Sequence, residues 1–547
     1  MNFLRLPDFL LKVLFENNEI IAVDKPYGIN SHTNEAKAGN ADFIQDGLIE
    51  IYEKQLGHRL YIVHRLDQTT TGVIIFAKSP EVAKKYAAYF FDRQVKKTYW
   101  FVTAAKSVKD SYEIDQTILH KARDLEAKTL LKQLRKNKNY ELWQANPLTG
   151  RNHQIRIHAK AAGIPILGDE KYTGASYDFL CLHNHRIEFP NGIAVTSTAP
   201  PYFENLDLLA DRLLAKALFE ADRRRRLYSA SVAENQCFRL MHGKEENAGF
   251  TIDQLGNYLI ISSFNEQWTE ANLKTFSAYA EVLKKSIFVR LMHNRGKDPL
   301  NKSQLLIGAE NSEKIWVASE NNINYEMRSG SGQSFGLFLD QRLQRNWVLN
   351  NSKGREVLNL FSYTCGFSVA AALGGATQVT SIDTNKNVLN WGRKNFEINQ
   401  LDPAKYKFLL RDSLDFLESS LKKQIKYDLI ICDPPSFSRG EKGVFKIETS
   451  LEILLRNCLN CLNENGELLF STNFENIYID DIRKIILKLK NELGLKKLEV
   501  FNIHPGLDFE LAGQKPILKS FLIKMKSELK SAEIISTFHE ITEFDEN

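Results

Sequence analysis

Residues 64–72 read His-Arg-Leu-Asp-Gln-Thr-Thr-Thr-Gly. A single acid, Asp67, stands there between a basic pair (His64, Arg65) and three threonines. Apolar runs flank it, Leu60 to Val63 before and Val73 to Ala77 after. That pattern predicts strand, turn, strand, with the acid presented at the turn. A carboxylate held beside an arginine stays ionised near neutral pH, which suits a nucleophile. A structural Asp–Arg pair capping a loop has the same pattern, and an isolated Arg-x-Asp favours that plainer reading.

The surroundings supply what the run alone lacks. Residues 19–30, EIIAVDKPYGIN, read as a strand entering a Pro/Gly turn. After Asp67, PEVAKKYAAYFFDRQ reads as an amphipathic helix, and VKKTYWFVTAA as a strand carrying Lys97 and Tyr99. KQLRKNKN, within residues 128–145, is a basic turn between strand-like runs and reads equally as a hairpin tip or a phosphate contact. NPLTGRNHQIRIHAKAAGIPILGDEKY follows, dense in Arg and His.

Taken together these blocks resemble the RluA-type RNA pseudouridine synthases. The opening matches in Asp24, Lys25, Pro26 and Gly28. The family's His-Arg-Leu-Asp-x-x-Thr-Ser-Gly matches except at Thr71, and its Leu-x-Thr-Gly-Arg-x-His-Gln-Ile-Arg-x-His recurs with Asn152 in place of the usual Thr. The resemblance covers about residues 10 to 200 and implies an α+β domain with a mixed/antiparallel sheet. It implies Asp67 as the catalytic acid, Arg156 as its partner, and Tyr99 over the target base. Arg65 would fill the vacated stack or hold a phosphate, with Arg151 and His153 as further substrate contacts. Pseudouridylation breaks a glycosidic bond, turns the base and rejoins it through carbon, so a carboxylate acting on the sugar suffices without a cofactor. The uridine must leave its stack to reach Asp67.

A Pro-containing break, TSTAPPY (196–202), precedes a helical stretch over 203–228 that ends in Arg223, Arg224, Arg225 and Arg226. These arginines read either as a phosphate contact or as a solvated helix end. Paired strands over 235–262 follow, and resemble the small central α/β domain of the RlmI/RlmKL-type rRNA methyltransferases through Arg239, Leu240, Gly243, Thr251 and Asp253.

GQSFGLFLDQR (332–342) resembles the same family. EVLNLFSYTCGFSVAAALGGATQVTSID then reads as a buried strand, a loop with Gly366, a small-residue helix, and a second strand ending at Asp383. An acid so placed can bond ribose hydroxyls, in a dinucleotide-binding domain as well as in a methyltransferase. YDLIICDPPSFS discriminates between them: a strand delivers Asp433, Pro434 and Pro435 at the sheet's carboxyl edge, with Phe437 placed to stack on a flat base. This form belongs to amino- and RNA-base methyltransferases. The resemblance covers about residues 225 to 525 and implies a Rossmann-like domain with S-adenosylmethionine as cofactor. Phe361, Gly366, Asp383, Asp412, Asp433 and Pro434 would bind it, and Arg342 and Phe437 would meet the substrate. Cys365 stands where the family usually has Gly; at positive φ it would cost about 1 kcal/mol or more and could weaken cofactor binding. No cysteine follows the double proline or ends ELLFSTNFE, so the expected target is a base nitrogen, most readily on guanine, with 5-methylcytosine as the alternative.

Composition sets the frame. The 547 residues, 43% hydrophobic and 25% charged, indicate a folded chain of several domains: 1–202, 203–330, 331–526 and a tail 527–547. No run spans a bilayer and no signal peptide reads at the N-terminus, so the expected location is cytoplasmic. The net charge of +5 is weak support for a polyanion partner. Cys458 and Cys461 form a lone C-x-x-C in a helical pattern, so no metal is expected. The reading is a bifunctional enzyme on RNA, most readily large-subunit rRNA, of unknown oligomeric state. One catalytic centre with the other half an RNA-binding module remains open, as does a nucleotide-dependent oxidoreductase.

Overall fold

A computed structural model describes residues 3–4, 13–33, 47–120, 123–227, 236–241, 249–263, 269–291, 304–307, 315–329, 334–440, 443–495, 497–503, 505, 509 and 517–525. Three main sheets carry the fold.

The elements of the first half are β1 (Phe3–Leu4), β2 (Val13–Glu16), β3 (Ile20–Lys25), α1 (Leu48–Leu56), β4 (Tyr61–Ile62), β5 (Thr71–Ala77), α2 (Pro80–Phe91), β6 (Lys96–Thr103), β7 (Ser111–Asp115), β8 (Ile118–His120), β9 (Arg123–Leu125), β10 (Lys128–Lys136), β11 (Glu141–Pro147), α3 (Gln154–Ala161), β12 (Leu182–Glu188) and β13 (Ala194–Thr196). The first sheet runs β2-β3-β5-β12-β6-β11-β10-β7, with β4 on β5 and β13 on β12. It is antiparallel except at β5–β12. Alternate residues of β3 and β5 face opposite ways. Ile20, Ala22, Val73, Ile75 and Ala77 meet Tyr86 of α2, while Ile21, Val23, Ile74 and Phe76 meet Leu48 and Tyr52 of α1. Covered on both faces, β5 reads as a continuous apolar run. Gly72 at its start has φ +109, and a Cβ there would lie 2.2 Å from the Asn184 carbonyl oxygen. The basic turn 132–139 is a hairpin tip docked on residues 204–209: Asn137 Nδ2 donates to Asp207 and Tyr140 Oη to the Leu209 carbonyl.

A short α4 (Pro201–Glu204) leads to α5 (Arg212–Leu227). The side chains of Arg223 to Arg226 lie outside the described residues. The second sheet, β14 (Cys237–Met241), β15 (Phe250–Leu255), β16 (Tyr258–Ser263), β17 (Ser286–Leu291) and β18 (Gln304–Ile307), carries α6 (Glu270–Leu283). One core joins this sheet to the first: Val102, Leu142, Phe179 and Tyr202 share it with Phe219, Leu240, Ile261 and Phe276.

A two-stranded ribbon, β19 (Ile315–Glu320) with β20 (Ile323–Arg328), leads to α7 (Arg342–Asn351) and the third sheet. Its parts are β21 (Glu356–Leu360), α8 (Gly366–Leu373), β22 (Gln378–Asp383), α9 (Lys386–Ile398), β23 (Lys407–Leu410), α10 (Ser413–Lys422), β24 (Tyr427–Cys432), β25 (Phe437–Gly440), β26 (Gly443–Lys446), α11 (Ile447–Asn460), β27 (Leu462–Thr472), α12 (Ile479–Glu492), β28 (Leu498–Ile503) and β29 (Lys519–Met525). The order is β23-β22-β21-β24-β27-β29-β28, with β1 added parallel to β28. Strands β21 to β24 and β27 are parallel and β29 is antiparallel. This is a doubly wound sheet whose strand order reverses beside β21. Cys458 and Cys461 are buried at the end of α11, and among the described residues no cluster of His, Cys, Asp or Glu is placed to hold a metal. No described helix is long and apolar enough to cross a membrane.

Candidate active sites

The first site is built on the turn between β4 and β5. The Thr70 N–H closes it on the Asp67 carbonyl at 3.0 Å. Lys25, fully buried at the end of β3, donates from its ammonium to the carbonyls of Pro26 (3.0 Å), Gln68 (2.9 Å) and Thr70 (2.9 Å). Burial pulls that ammonium down to about 7, and the charge of Asp67 opposes the shift. Gly28 and Gln68 exchange two hydrogen bonds of 3.0 Å, and Ser31 Oγ bonds both the carbonyl and the N–H of Leu66. The turn is therefore fastened to residues 25–31 on both sides of Asp67.

Asp67 is not turned into the interior; its side chain is 29% exposed. Arg156 Nη1 lies 3.4 Å from its Oδ2, and His153 Nε2 lies 3.7 Å away. The structure thus brings together the expected acid and arginine. It also shows that the arginine has a stronger partner: Arg156 forks onto Asp169 at 2.8 and 2.7 Å, and Asp169 is 1% exposed. Tyr172 sits beneath the guanidinium at 5.1 Å, and its hydroxyl is 2.8 Å from His153 Nδ1. Burial first, then Arg156, hold the His153 imidazole below its ordinary range against the pull of Asp67. Asp169 and Tyr172 stand in the quoted GDEKY stretch, but nothing local says that they face Arg156.

The loop before α3 is fixed by Gln154. Its amide accepts from Thr149 Oγ1 (2.7 Å) and the Arg151 N–H (3.0 Å), and donates to the Lys128 carbonyl and Thr129 Oγ1, each at 2.9 Å. Arg151 donates from Nε to the Glu126 carbonyl. Arg65 is exposed, and Tyr99 is half-buried on β6. Burial and the charge of Asp67 both raise the Tyr99 phenol, which stays protonated at neutral pH. One expectation needs correction. His64 is not part of a basic pair: its Nε2 accepts the Ile75 N–H at 3.1 Å, its ring stacks on Phe90 at 4.8 Å, and burial pushes it down to about 3. Thr71, where the motif usually has Ser, keeps its hydroxyl 2.9 Å from His183 Nδ1.

The second site lies at the carboxyl edge of the doubly wound sheet. The register pairs Leu360 with Cys432 and with Ile382, so Phe361, Asp433 and Asp383 leave the sheet side by side at the reversal of strand order. Asp383 accepts the N–H groups of Tyr363 and Asn385, each at 2.9 Å, and burial raises its carboxyl. Phe361, Tyr363 and Cys365 have φ of 53, 46 and 61, which curls the loop into a cradle between β21 and α8. Gly366 opens α8, and a Cβ there would lie 3.3 Å from Leu337 Cδ1. Asp412 caps α10, accepting the N–H groups of Leu414 (2.9 Å) and Asp415 (3.2 Å). Pro434 is buried and Phe437 is half exposed. Arg342, expected to meet the substrate, is only 7% exposed.

Burial pushes the Asp433 carboxyl up to about 7; the charge of Asp340 adds to this, while Arg345 and a Gln341 hydrogen bond oppose it. Arg345 forks onto Glu320 at 2.6 and 2.7 Å, and both are buried. Its Nη2 also donates to the Phe338 carbonyl, which ties the Asp340–Gln341 turn to β19. Asp340, Gln341, Arg345 and Glu320 carried no sequence signal beyond the quoted FLDQR. Beside Asp340 a cavity of about 230 Å³ lies between the second and third sheets, walled by Arg239, Asp253, Arg290, Phe335, Phe338 and Asn473.

Cys365 does take the positive φ, but its sulfur is fully buried, 3.8 Å from Ser362 Oγ, and faces Gly392 of α9. All six cysteines are buried, and burial holds the Cys432 thiol well above its ordinary value.

With this geometry in place, the class of protein follows from two family models. That of RNA pseudouridylate synthases matches residues 19–161, and that of S-adenosylmethionine-dependent methyltransferases matches residues 267–487. Two separate segments of the chain thus match two families, the pseudouridylate synthase model ahead of the methyltransferase model. The ribosomal RNA large subunit methyltransferase K/L of Psychrobacter sp. (strain PRwf-1) is 34% identical over 40% of this chain and 26% of its own length. YwbD of Bacillus subtilis (strain 168), named for ribosomal RNA large-subunit methylation, is 33% identical over 48% of this chain and 66% of its own. The SMU.776 structure, solved with SAH, superposes with a TM-score of 0.50 at 28% identity, over 61% of this chain and 86% of that one. The chain thus spans about a quarter of the K/L relative that it matches.

Proposed function

We propose that the chain modifies RNA twice: it isomerises a uridine to pseudouridine at Asp67 and methylates a base nitrogen at Asp433. The observation that carries the first half is a part-exposed carboxylate on a fastened turn, 3.4 Å from an arginine that Asp169 holds in place. Asp67 attacks the sugar of the extruded uridine or takes a proton from it, the N1–C1′ bond breaks, the base turns, and C5 bonds to C1′. The C5 proton leaves and N1 gains one. Arg156 and His153 flank the carboxylate, Arg65 and Arg151 meet the flanking strand, and the Tyr99 ring stacks on the base. A raised phenol contributes here as a surface more than as a base.

The cradle at Phe361–Gly366 with Asp383 and Asp412 fits S-adenosylmethionine, which supplies an electrophilic methyl group when bound. Asp433 and the Pro434 lip orient the target nitrogen and accept its hydrogen, Phe437 stacks on the base, and Arg342 backs the turn beside Asp433. The burial of every cysteine favours a nitrogen target over carbon 5 of cytosine. Guanine is the base we favour. Large-subunit rRNA is the substrate we favour, because the K/L and YwbD relatives carry that name, and the cytoplasm is the matching location. Domain boundaries at residues 202/203, 330/331 and 526/527 belong to the same proposal.

The test is mass-spectrometric mapping of large-subunit RNA fragments treated with purified protein and S-adenosylmethionine. Wild type is expected to yield pseudouridine and a methylguanine, Asp67→Ala the methyl mark alone, and Asp433→Asn pseudouridine alone. Formation of 5-methylcytosine would overturn the nitrogen assignment, and unmodified uridine with wild type would overturn the first half.

A further inference from the structure

Helix α5 leaves the first sheet and runs to β14, and Phe219, 4% exposed, lies along it. Among the described residues its ring makes three aromatic contacts, a looser one with Tyr202 at 6.4 Å and two close ones with the first half. It stacks on Phe179 at 3.9 Å with the planes 5° apart, and it meets Tyr27 edge-on at 4.9 Å. Phe179 and Tyr27 each belong to a segment that shapes the uridine site. Tyr27 sits between Lys25 and Gly28, the residues that bond the Gln68 carbonyl beside Asp67. Phe179 lies flush on Gly168, where a Cβ would come 1.9 Å from the Phe179 carbonyl oxygen, and Asp169 follows directly. The two segments also meet each other, through a Leu180 backbone hydrogen bond to the Tyr27 phenol, which lies within electrostatic reach of Arg156.

One ring therefore braces both supports of the Asp67–Arg156–Asp169 network from behind. Aromatic pairs of this geometry contribute beyond the area they bury, and their shape fixes the separation of what they join. We propose that Phe219 is a positioning residue for the uridine site, so that pseudouridine formation depends on the helix leading into the methyltransferase half. This rests on the reading of Asp67 given above. Phe219 touches no substrate; it sets the spacing of the turn that carries Asp67 against the loop that carries Asp169.

The experiment compares wild type, Phe219→Ala and Phe219→Leu as full-length chains, well below their melting midpoints. Pseudouridine formation and methyl transfer are measured on the same RNA. Small misplacements of a positioned group cost up to about a hundredfold in rate, so Phe219→Ala is expected to lower kcat for pseudouridine by about tenfold or more. KM for RNA and the methyl-transfer rate should stay within about twofold. Phe219→Leu, which keeps most of the apolar bulk but loses the flat faces, should fall between. Amide exchange at Gly28 and Gly168, whose N–H groups bond the Gln68 and Ala175 carbonyls, should accelerate in Phe219→Ala. Unchanged kcat per folded molecule, or equal loss of both activities, overturns the proposal. If wild type itself makes no pseudouridine, the Asp67 reading fails, and amide exchange still decides whether Phe219 braces the two segments.

Discussion

Asp433 is the residue where electrostatics and proposed chemistry meet most directly. Its carboxyl is raised from 3.8 to about 7 by burial, with Asp340 adding and Arg345 opposing. The sign for stability follows from proton counting. Between those two values the folded chain holds a proton that the unfolded chain has lost, so this group's contribution to stability falls as pH rises through that window. The sign for activity is the reverse. Only the ionised form accepts a hydrogen from a target nitrogen, so methyl transfer should rise with pH with a midpoint near 7. Asp340→Asn should shift the midpoint toward acid, and a pH–rate profile that Asp340→Asn leaves in place would remove Asp433 as the titrating group. This acid was legible in the sequence because a strand, an acid and two prolines follow one another. The residues that tune it were not, since Glu320 and Arg345 meet only through the fold. His64 failed for a related reason. By residue type it reads as basic beside Arg65, but the Ile75 N–H needs a neutral acceptor.

At the scale of elements, α8 and α9 meet through a pair of complementary exceptions. Cys365 adopts φ 61, which costs about 1 kcal/mol for a side chain with a Cβ, and Gly392 interrupts α9, which costs a similar amount. Each makes room for the other: a Cβ on Gly392 would stand 2.3 Å from the Cys365 sulfur. Cys365→Gly should relieve backbone strain and lose packing, for a net change within about 1 kcal/mol. Gly392→Ala alone should destabilise by about 1–3 kcal/mol through overpacking, and the pair together should recover most of that. Denaturant melts of the four chains close the cycle, and simple additivity would refute the pairing. The same geometry bears on the expected weakening of cofactor binding, because the sulfur faces α9. Elements of this kind were readable where one face or both were buried along a continuous stretch, as in β5. The edge position of β1 beside β28 had no signal at all, for a two-residue strand has no period to read.

For the whole molecule, the first and second sheets share a core in which Val102 and Phe179 pack with Leu240, Ile261 and Phe276. Such a core should melt as one cooperative unit, unlike two beads on a linker. Calorimetry should show the first two sheets unfolding in a single transition, with S-adenosylmethionine raising the midpoint of the doubly wound sheet more than that of the first. Separate transitions for the first and second sheets would refute a common core. The break at TSTAPPY was legible as punctuation. Its burial under α5 was not, because prolines mark where a chain turns and carry no record of what comes to rest on the turn.

The stacked rings of Phe179 and Phe219 have a consequence for anyone dividing this gene. A stop codon placed in the proline-containing break would separate the motifs cleanly on paper, yet it would leave the leading fragment with a bare aromatic wall and the trailing one with a helix that has lost its bed. Whatever history joined the two halves, the seam is now a packed core, and moving a boundary would lay it open.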